Sequence, residues 1–252
     1  MMISMAVYDT EDNERTQYTQ RTLECLMQTV NMAKHGIVVI DNGSCKATKS
    51  VLKDFAPFIG VITLGQNLGT AKAINKAWEN RSDGGHCVKM DNDVVIHCKD
   101  WADELEDILN DQPTIGILGL KRKDLEERPD HPNEFYRSTL SMIGGNGKRW
   151  NVIEDVKHVM GTCQAYSSAL LDKIGYLHQP TIYGFDDSLA AIRCTKAGFR
   201  NCFLPHIDID HIDTGASDYS QTKRRIAGQD MAEYNRLKNG YLNGTIDIYH
   251  PC

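Results

Sequence analysis

Over its first half the chain alternates between short apolar runs and amphipathic stretches. Ile3 to Tyr8 has strand character and is broken by Asp9-Thr10-Glu11-Asp12-Asn13. From Arg15 to Ala33, Leu23, Met27, Val30 and Met32 fall near helical spacing, which predicts a helix closing around His35-Gly36. Ile37 to Ile40 is an unbroken β-branched run, the mark of a strand buried on both faces, and it stops at the turn Asp41-Asn42-Gly43-Ser44. A helix over Ala47–Phe55, a strand over Phe58–Leu64, a loop at Gly65–Thr70 and a helix from Ala71 to Asn80 follow. His86 to Ile96, HCVKMDNDVVI, then reads as a buried strand, an acidic interruption and a second short strand.

The second half is less regular. A helix over Asp100–Asn110 presents Trp101, Leu105, Ile108 and Leu109 on one face and leads to a strand at Ile115–Leu120. Lys121 to Pro132 is charged and reads as a surface loop, and Ser138 to Val156 as a hairpin around Gly144-Gly145-Asn146-Gly147. Val159–Tyr166 is expected as a strand, Ser167–Ile174 as a short helix, and Tyr183-Gly184-Phe185-Asp186-Asp187 opens another that runs to Ala197. Phe203-Leu204-Pro205 and Ile207–Ile212 read as two short extended pieces, and Tyr219–Lys238 as a terminal helix. Strands and helices alternating up to Met90 predict an α/β domain with a mainly parallel central sheet flanked by helices. Ligands of such sheets sit beyond the carboxyl ends of the strands. Three polar turns fall there: Tyr8-Asp9-Thr10, Asp41-Asn42-Gly43-Ser44 and Asp91-Asn92-Asp93.

Composition narrows the class. With 41 % hydrophobic and 25 % charged residues in 252, the chain can bury a large core, which excludes wholesale disorder. A net charge of -6 gives no general attraction to nucleic acid or an anionic membrane. The cysteines, Cys25, Cys45, Cys87, Cys98, Cys163, Cys194, Cys202 and Cys252, form no Cys-x-x-Cys pair and read as reduced thiols. No apolar run reaches the length of about 18 residues that a membrane span needs. A cytoplasmic protein with no integral membrane contact is the expectation.

Asp91 and Asp93 can point the same way from an extended segment, and would repel unless a positive group stood between them. A hard divalent ion, Mn2+ or Mg2+, is the economical candidate, although an isolated Asp-x-Asp is commonly just an acidic turn. Asp186-Asp187 suits a first helical turn on electrostatic grounds alone, and also suits a carboxylate that accepts a proton from an attacking hydroxyl. In His206-Ile207-Asp208-Ile209-Asp210-His211, a strand puts Ile207, Ile209 and His211 on one face; His211 either ends a sheet or completes a metal shell. Lys223-Arg224-Arg225 reads as a solvated helix face or a clamp on phosphate. Gly65–Gly69 matches neither the ATPase phosphate loop nor the dinucleotide fingerprint.

Several of these pieces resemble the GT-A glycosyltransferases of the family-2-like type. They are VVIDNGS at Val38–Ser44, LGQNLGTAKAINKA at Leu64–Ala77, MDNDVVI at Met90–Ile96, YGFDDSLAAIR at Tyr183–Arg193 and HIDTGAS at His211–Ser217. The resemblance spans Ile3 to Ser217. It implies a single GT-A domain over residues 1–217, with a nucleotide-sugar half (1–96), an acceptor half (97–217) and a C-terminal helical tail (218–252). It further implies that Tyr8 and Asp9 border the nucleobase and that Asp41 hydrogen-bonds it. Asn67 and Gly69 would shape the loop beside base and ribose, with Asp91 and Asn92 at ribose or sugar. Asp93, with Asp91 and His211, would hold the metal, and Asp187, beside Asp186, would be the base. Where the family often has an acid two residues after the base, this chain has Leu189. The implied activity is metal-dependent, inverting transfer of a sugar from a UDP-sugar to a hydroxyl acceptor, with a saccharide, a lipid-linked sugar, a protein side chain and a hydroxymethylated base in DNA all open. A sugar-phosphate nucleotidyltransferase and a non-catalytic nucleotide- or glycan-binding module are the alternatives.

Overall fold

A computed structural model of the chain describes residues 1–125, 139–145, 149–213, 225–226 and 228–251. Strands are β1 (Met2–Val7), β2 (Gly36–Asp41), β3 (Gly60–Thr63), β4 (Cys87–Met90), β5 (Val94–Ile96), β6 (Ile115–Arg122), β7 (Thr139–Gly145), β8 (Arg149–Val156), β9 (Cys163–Tyr166) and β10 (Arg200–His211). Helices are α1 (Thr16–Thr29), α2 (Lys46–Phe55), α3 (Thr70–Trp78), α4 (Trp101–Asp111), α5 (Ser168–Ile174), α6 (Asp186–Lys196) and α7 (Met231–Asn243).

The ten strands among the described residues join one sheet in the order β3-β2-β1-β4-β9-β6-β10-β8-β7, with β5 paired to β10 off this path. The half β3-β2-β1-β4 is wholly parallel, as right-handed strand-helix-strand units require. Beyond it, β9 runs antiparallel between β4 and β6, while β6 and β10 are parallel to each other. The sheet is therefore mixed, with its parallel part at the core.

Period-two alternation sets the two faces. Ile3, Met5 and Val7 of β1 turn to one side and pack with Leu23 and Leu26 of α1 and Trp101 and Leu105 of α4. On the other face, Ile74 and Trp78 of α3 pack with Leu170 of α5, Cys194 of α6 and Tyr166, whose ring meets that of Trp78 edge-on at 5.1 Å. Burying both faces explains the unbroken Ile37–Ile40 run.

Several boundaries differ from the sequence expectation. The helix expected over Arg15–Ala33 is Thr16–Thr29, since the chain turns extended at Val30. The two pieces expected around Pro205 are one strand, β10; a register shift between Leu204 and Asp208 absorbs the missing Pro205 N–H. The expected hairpin forms as β7 and β8, in register from Thr139↔Asp155 to Gly145↔Arg149. Of the expected terminal helix Tyr219–Lys238, residues 219–224 and 227 lie outside the described residues; the part Met231–Asn243 is helical through Gly240, whose missing Cβ admits Ile246. Much of the expected loop Lys121–Pro132 lies outside the described residues, as do Lys223 and Arg224; Arg225 is exposed. Seven described cysteines are free thiols, and Cys252 lies outside the described residues. No described helix is long and apolar enough to cross a membrane.

Candidate active site

Because β6 and β10 run with β1, β2 and β4, the turns after β1, β2 and β4 and the end of β10 gather at one edge of the sheet. The β5–β10 pairing sets His211 against Val94, and the Ile212 N–H donates to the Asp93 carbonyl at 2.9 Å. His211 thereby reaches Asp93: Nε2 lies 3.3 Å from Oδ2. Asp93 and His211 meet as the sequence suggested, but Asp91 does not join them. Among the described residues, no group of three His, Cys, Asp or Glu side chains that could hold a metal forms.

The reason is that each carboxylate of Asp91-Asn92-Asp93 faces its own protein cation. Asp91, one-third exposed, lies 3.2 Å from the Lys89 ammonium. Asp93 Oδ2 accepts from the Arg15 guanidinium at 2.5 Å, and the same guanidinium pairs with Asp213 and donates to Asn92 Oδ1 at 3.3 Å. Asn92 turns inward, its amide donating to Asp9 Oδ1 at 2.9 Å and Thr19 Oγ1 at 2.7 Å. Burial works to raise the Asp93 pKa, but His211 and Arg15 outweigh it and hold the carboxyl below the usual range. Asp93 Oδ1 and His211 Nδ1 are buried and meet no hydrogen-bond partner. A buried carboxylate oxygen and a buried imidazole nitrogen without hydrogen-bond partners, on residues that already touch each other, suit a divalent ion that takes its remaining ligands from a diphosphate.

Of the residues expected around the base, Asp9 lies beneath the edge of the site. It is fully buried, and its carboxylate accepts from Thr19 Oγ1 at 2.6 Å, Thr48 Oγ1 at 3.2 Å and Asn92, which ties the end of β1 to α1 and α2. Burial raises its pKa, partly offset by those bonds and by Arg15. Asp41 Oδ1 accepts from the Ser44 N–H at 2.7 Å and closes its own turn. Asn42 is a residue that the sequence reading missed. Its amide donates to Asn67 Oδ1 at 2.9 Å, and its Oδ1 accepts from Leu68 N–H at 2.8 Å, which staples the 65–70 loop to the β2 turn. Tyr8 is half-buried at the end of β1.

Gly69 sits at φ 90°, ψ 163°, a region that only glycine occupies without strain, and a Cβ there would lie 2.8 Å from Ile182 Cα. Gly69→Ala is accordingly expected to cost about 1–3 kcal/mol, read as a fall in Tm of about 2–4 °C per kcal/mol. An unchanged melting curve would show that the loop relaxes freely.

Across the edge, Asp186 and Asp187 open α6. Phe185 before them is left-handed at φ 67°, and its ring stacks on Tyr234 of α7 at 4.2 Å. The two acids diverge. Asp186 is 8 % exposed and 3.4 Å from Lys89; burial pushes its pKa up. Asp187 is 23 % exposed, and its Oδ2 accepts from Gly161 N–H at 3.0 Å and lies 3.2 Å from His158 Nε2, while Oδ1 accepts from Ser188 N–H at 2.7 Å. Burial opposes its charge, but His158, Lys89 and the Ser188 N–H outweigh that and hold it below the usual carboxylate range. The two neighbouring acids thus sit in environments that push their pKa values apart.

Lys89 is the hub. It is 5 % exposed, touches Asp91 and Asp186, and donates to the Gly161 carbonyl at 2.7 Å. The surrounding carboxylates hold it charged, its pKa well above the usual value in spite of burial. Gly161 fits between Lys89 and Asp187 because it lacks a Cβ, which would lie 2.6 Å from Nζ. Arg15, Lys89 and His158 were not singled out from the sequence. The available signal was one lysine inside the otherwise apolar run of β4.

Residues 12–175 match the family model Glycosyl transferase family 2, and the chain belongs to that family. Among solved structures it resembles the mannosyltransferase PcManGT from Pyrobaculum calidifontis in complex with GDP-Man and Mn2+, at 20 % identity and TM-score 0.67, over 93 % of this chain and 64 % of that one. It also resembles S. aureus TarS 1-349 in complex with UDP, at 17 % identity and TM-score 0.67, over 95 % and 64 %. With UDP-GlcNAc bound, the TarS figures are 16 % identity and TM-score 0.62, over 96 % and 71 %. The fold is thus that of the GT-A glycosyltransferases, and the chain spans 64 % of the length of PcManGT. No curated protein matches.

Proposed function

We propose that the protein is a glycosyltransferase that moves a sugar from a nucleotide-diphosphate donor, a UDP-sugar first among the candidates, to a hydroxyl acceptor with inversion. The observation that supports this best is Lys89. One buried ammonium touches Asp91, on the donor side, and Asp186, beside the ionised Asp187, so a base stands next to the place for a donor sugar.

Asn67, Gly69 and the turn at Asp41 shape the nucleotide end, with Tyr8 beside them. Asp91 is exposed enough to meet a ribose or sugar hydroxyl. Asp93 and His211 would hold Mn2+ or Mg2+, which when bound offsets charge developing on the leaving diphosphate. Asp187 accepts the proton of the acceptor hydroxyl as that oxygen attacks the anomeric carbon from the face opposite the diphosphate. Asp186 stays buried against Lys89 and fixes the start of α6. In this reading residues 1–96 handle the donor, with His211 reaching across to them, and the rest of 97–217 serves the acceptor.

PcManGT was solved with GDP-Man and Mn2+, and TarS with UDP-GlcNAc, which sets the first probes. UDP and GDP with Mn2+ should raise Tm by several degrees at about a hundredfold Kd, equivalent to about 2.7 kcal/mol. The shift should need metal and vanish in Asp93→Asn. No shift with any nucleotide at millimolar concentration would remove the donor site and the transferase reading with it.

A further inference from the structure

The cation already at Asp93 has a consequence for how the donor site fills. Arg15 lies at the start of α1, 4 % exposed, with its guanidinium shared among Asp93, Asp213 and Asn92. It uses Asp93 Oδ2, the oxygen that His211 Nε2 also approaches, and leaves Oδ1 buried without a hydrogen-bond partner. A metal ion arriving alone at Asp93 and His211 would meet a fixed positive charge a few bonds away. Two of the carboxylates that could neutralise it, Asp93 and Asp213, are already paired with that charge.

A nucleoside diphosphate reverses the balance. It brings negative oxygens for the ion and matches a guanidinium, which takes phosphate in the same forked geometry as carboxylate. Resting on the donor-site reading above, we propose that Arg15 makes metal binding conditional on the nucleotide. The Arg15 guanidinium holds Asp93 and, when a nucleotide arrives, would turn to the diphosphate, leaving Asp93 and His211 to hold the ion. Arg15 is then a donor-binding residue, and its effect is positive coupling between metal and nucleotide. Linkage makes that coupling reciprocal, so it can be measured from either ligand.

The test titrates Mn2+ by electron paramagnetic resonance, with and without UDP or GDP, and titrates nucleotide by calorimetry with and without Mn2+. For wild type, Mn2+ alone should bind at least tenfold more weakly than with nucleotide. Arg15→Gln should bind Mn2+ alone at least tenfold more tightly than wild type, and its coupling should fall to threefold or less. Arg15→Lys keeps the charge and should keep weak metal binding alone, which serves if the glutamine variant does not fold. Equal Mn2+ affinity in wild type and Arg15→Gln, or in a Lys variant that binds Mn2+ alone as tightly as with nucleotide, would overturn the role of Arg15. In that case nucleotide binding would still stand. Absence of nucleotide binding in wild type under every condition would instead overturn the donor-site reading.

Discussion

Asp187→Asn is expected to lower donor turnover by about a hundred- to ten-thousandfold, the contribution of a positioned general base, while nucleotide affinity stays within about twofold. Turnover is read as nucleotide diphosphate released from the donor sugar, with water or a hydroxyl compound as acceptor; affinity is read by calorimetry. The separation is expected because Asp187 contacts His158, Gly161 and Ser188, none of which is a donor-side residue. An asparagine also keeps one oxygen for the Gly161 N–H. The pH profile carries a second signature. The Asp187 carboxyl lies below the usual range, so the acid limb of the wild-type rate should lie there too; His158→Ala removes the leading group that lowers it, and the limb should move to higher pH. Unchanged turnover in Asp187→Asn would place the base elsewhere. A chain with no turnover to lose would be a binding module.

The second large effect is expected at Lys89. Lys89→Met strands Asp186 in a buried pocket without its cation, a change that typically costs about 3–5 kcal/mol, or a Tm lower by about 6–20 °C in a domain of this size. The loss should shrink as pH falls. Asp186 already has a raised pKa from burial; without the ammonium it rises further, so protonation removes the stranded charge at mildly acidic pH. Adding Asp186→Asn to Lys89→Met should recover part of the loss, since removing both partners of a buried pair is far milder than removing one. Melting curves of the two variants at pH 5 and pH 7.5 decide the matter. Equal Tm for wild type and Lys89→Met would show that the ammonium carries no structural load.

Legibility from sequence follows sequence distance. The parallel half of the sheet was readable because each buried strand declares itself within a few residues, as Ile37–Ile40 does. The antiparallel entry of β9 between β4 and β6 was not, because pairing partners such as Val88 and Ala165 leave no local mark. Asp93, His211 and the Asp186-Asp187 pair stood out through compact motifs, and the fold puts Asp93 beside His211 and Asp187 beside a hydrogen-bonding shell. The cations were hidden. Arg15 meets Asp93 across 78 positions and Asp213 across 198, and nothing in the run around Arg15 announces either partner. Two carboxylates one residue apart suggested one shared ion, whereas the chain supplies Lys89 to one and Arg15 to the other. The partners of Asp9 were hidden for a related reason: a polar turn at a strand end looks the same whatever its side chain faces, and here it faces the threonines beneath it.

Leu189 stands where the family often carries another acid, and it is fully buried against Leu237 and Tyr241 of α7. Tyr234 of the same helix stacks on Phe185 and reaches the Ser188 hydroxyl at 2.8 Å, while Arg193 is pinned by the carbonyls of Ile174, Tyr176 and Ile248. Leu189 is therefore an apolar spot that fastens α6 to α7. Its consequence is mechanical. α6 is fastened to α7 as well as to the sheet, so the start of α6, where Asp187 stands, is braced from both sides.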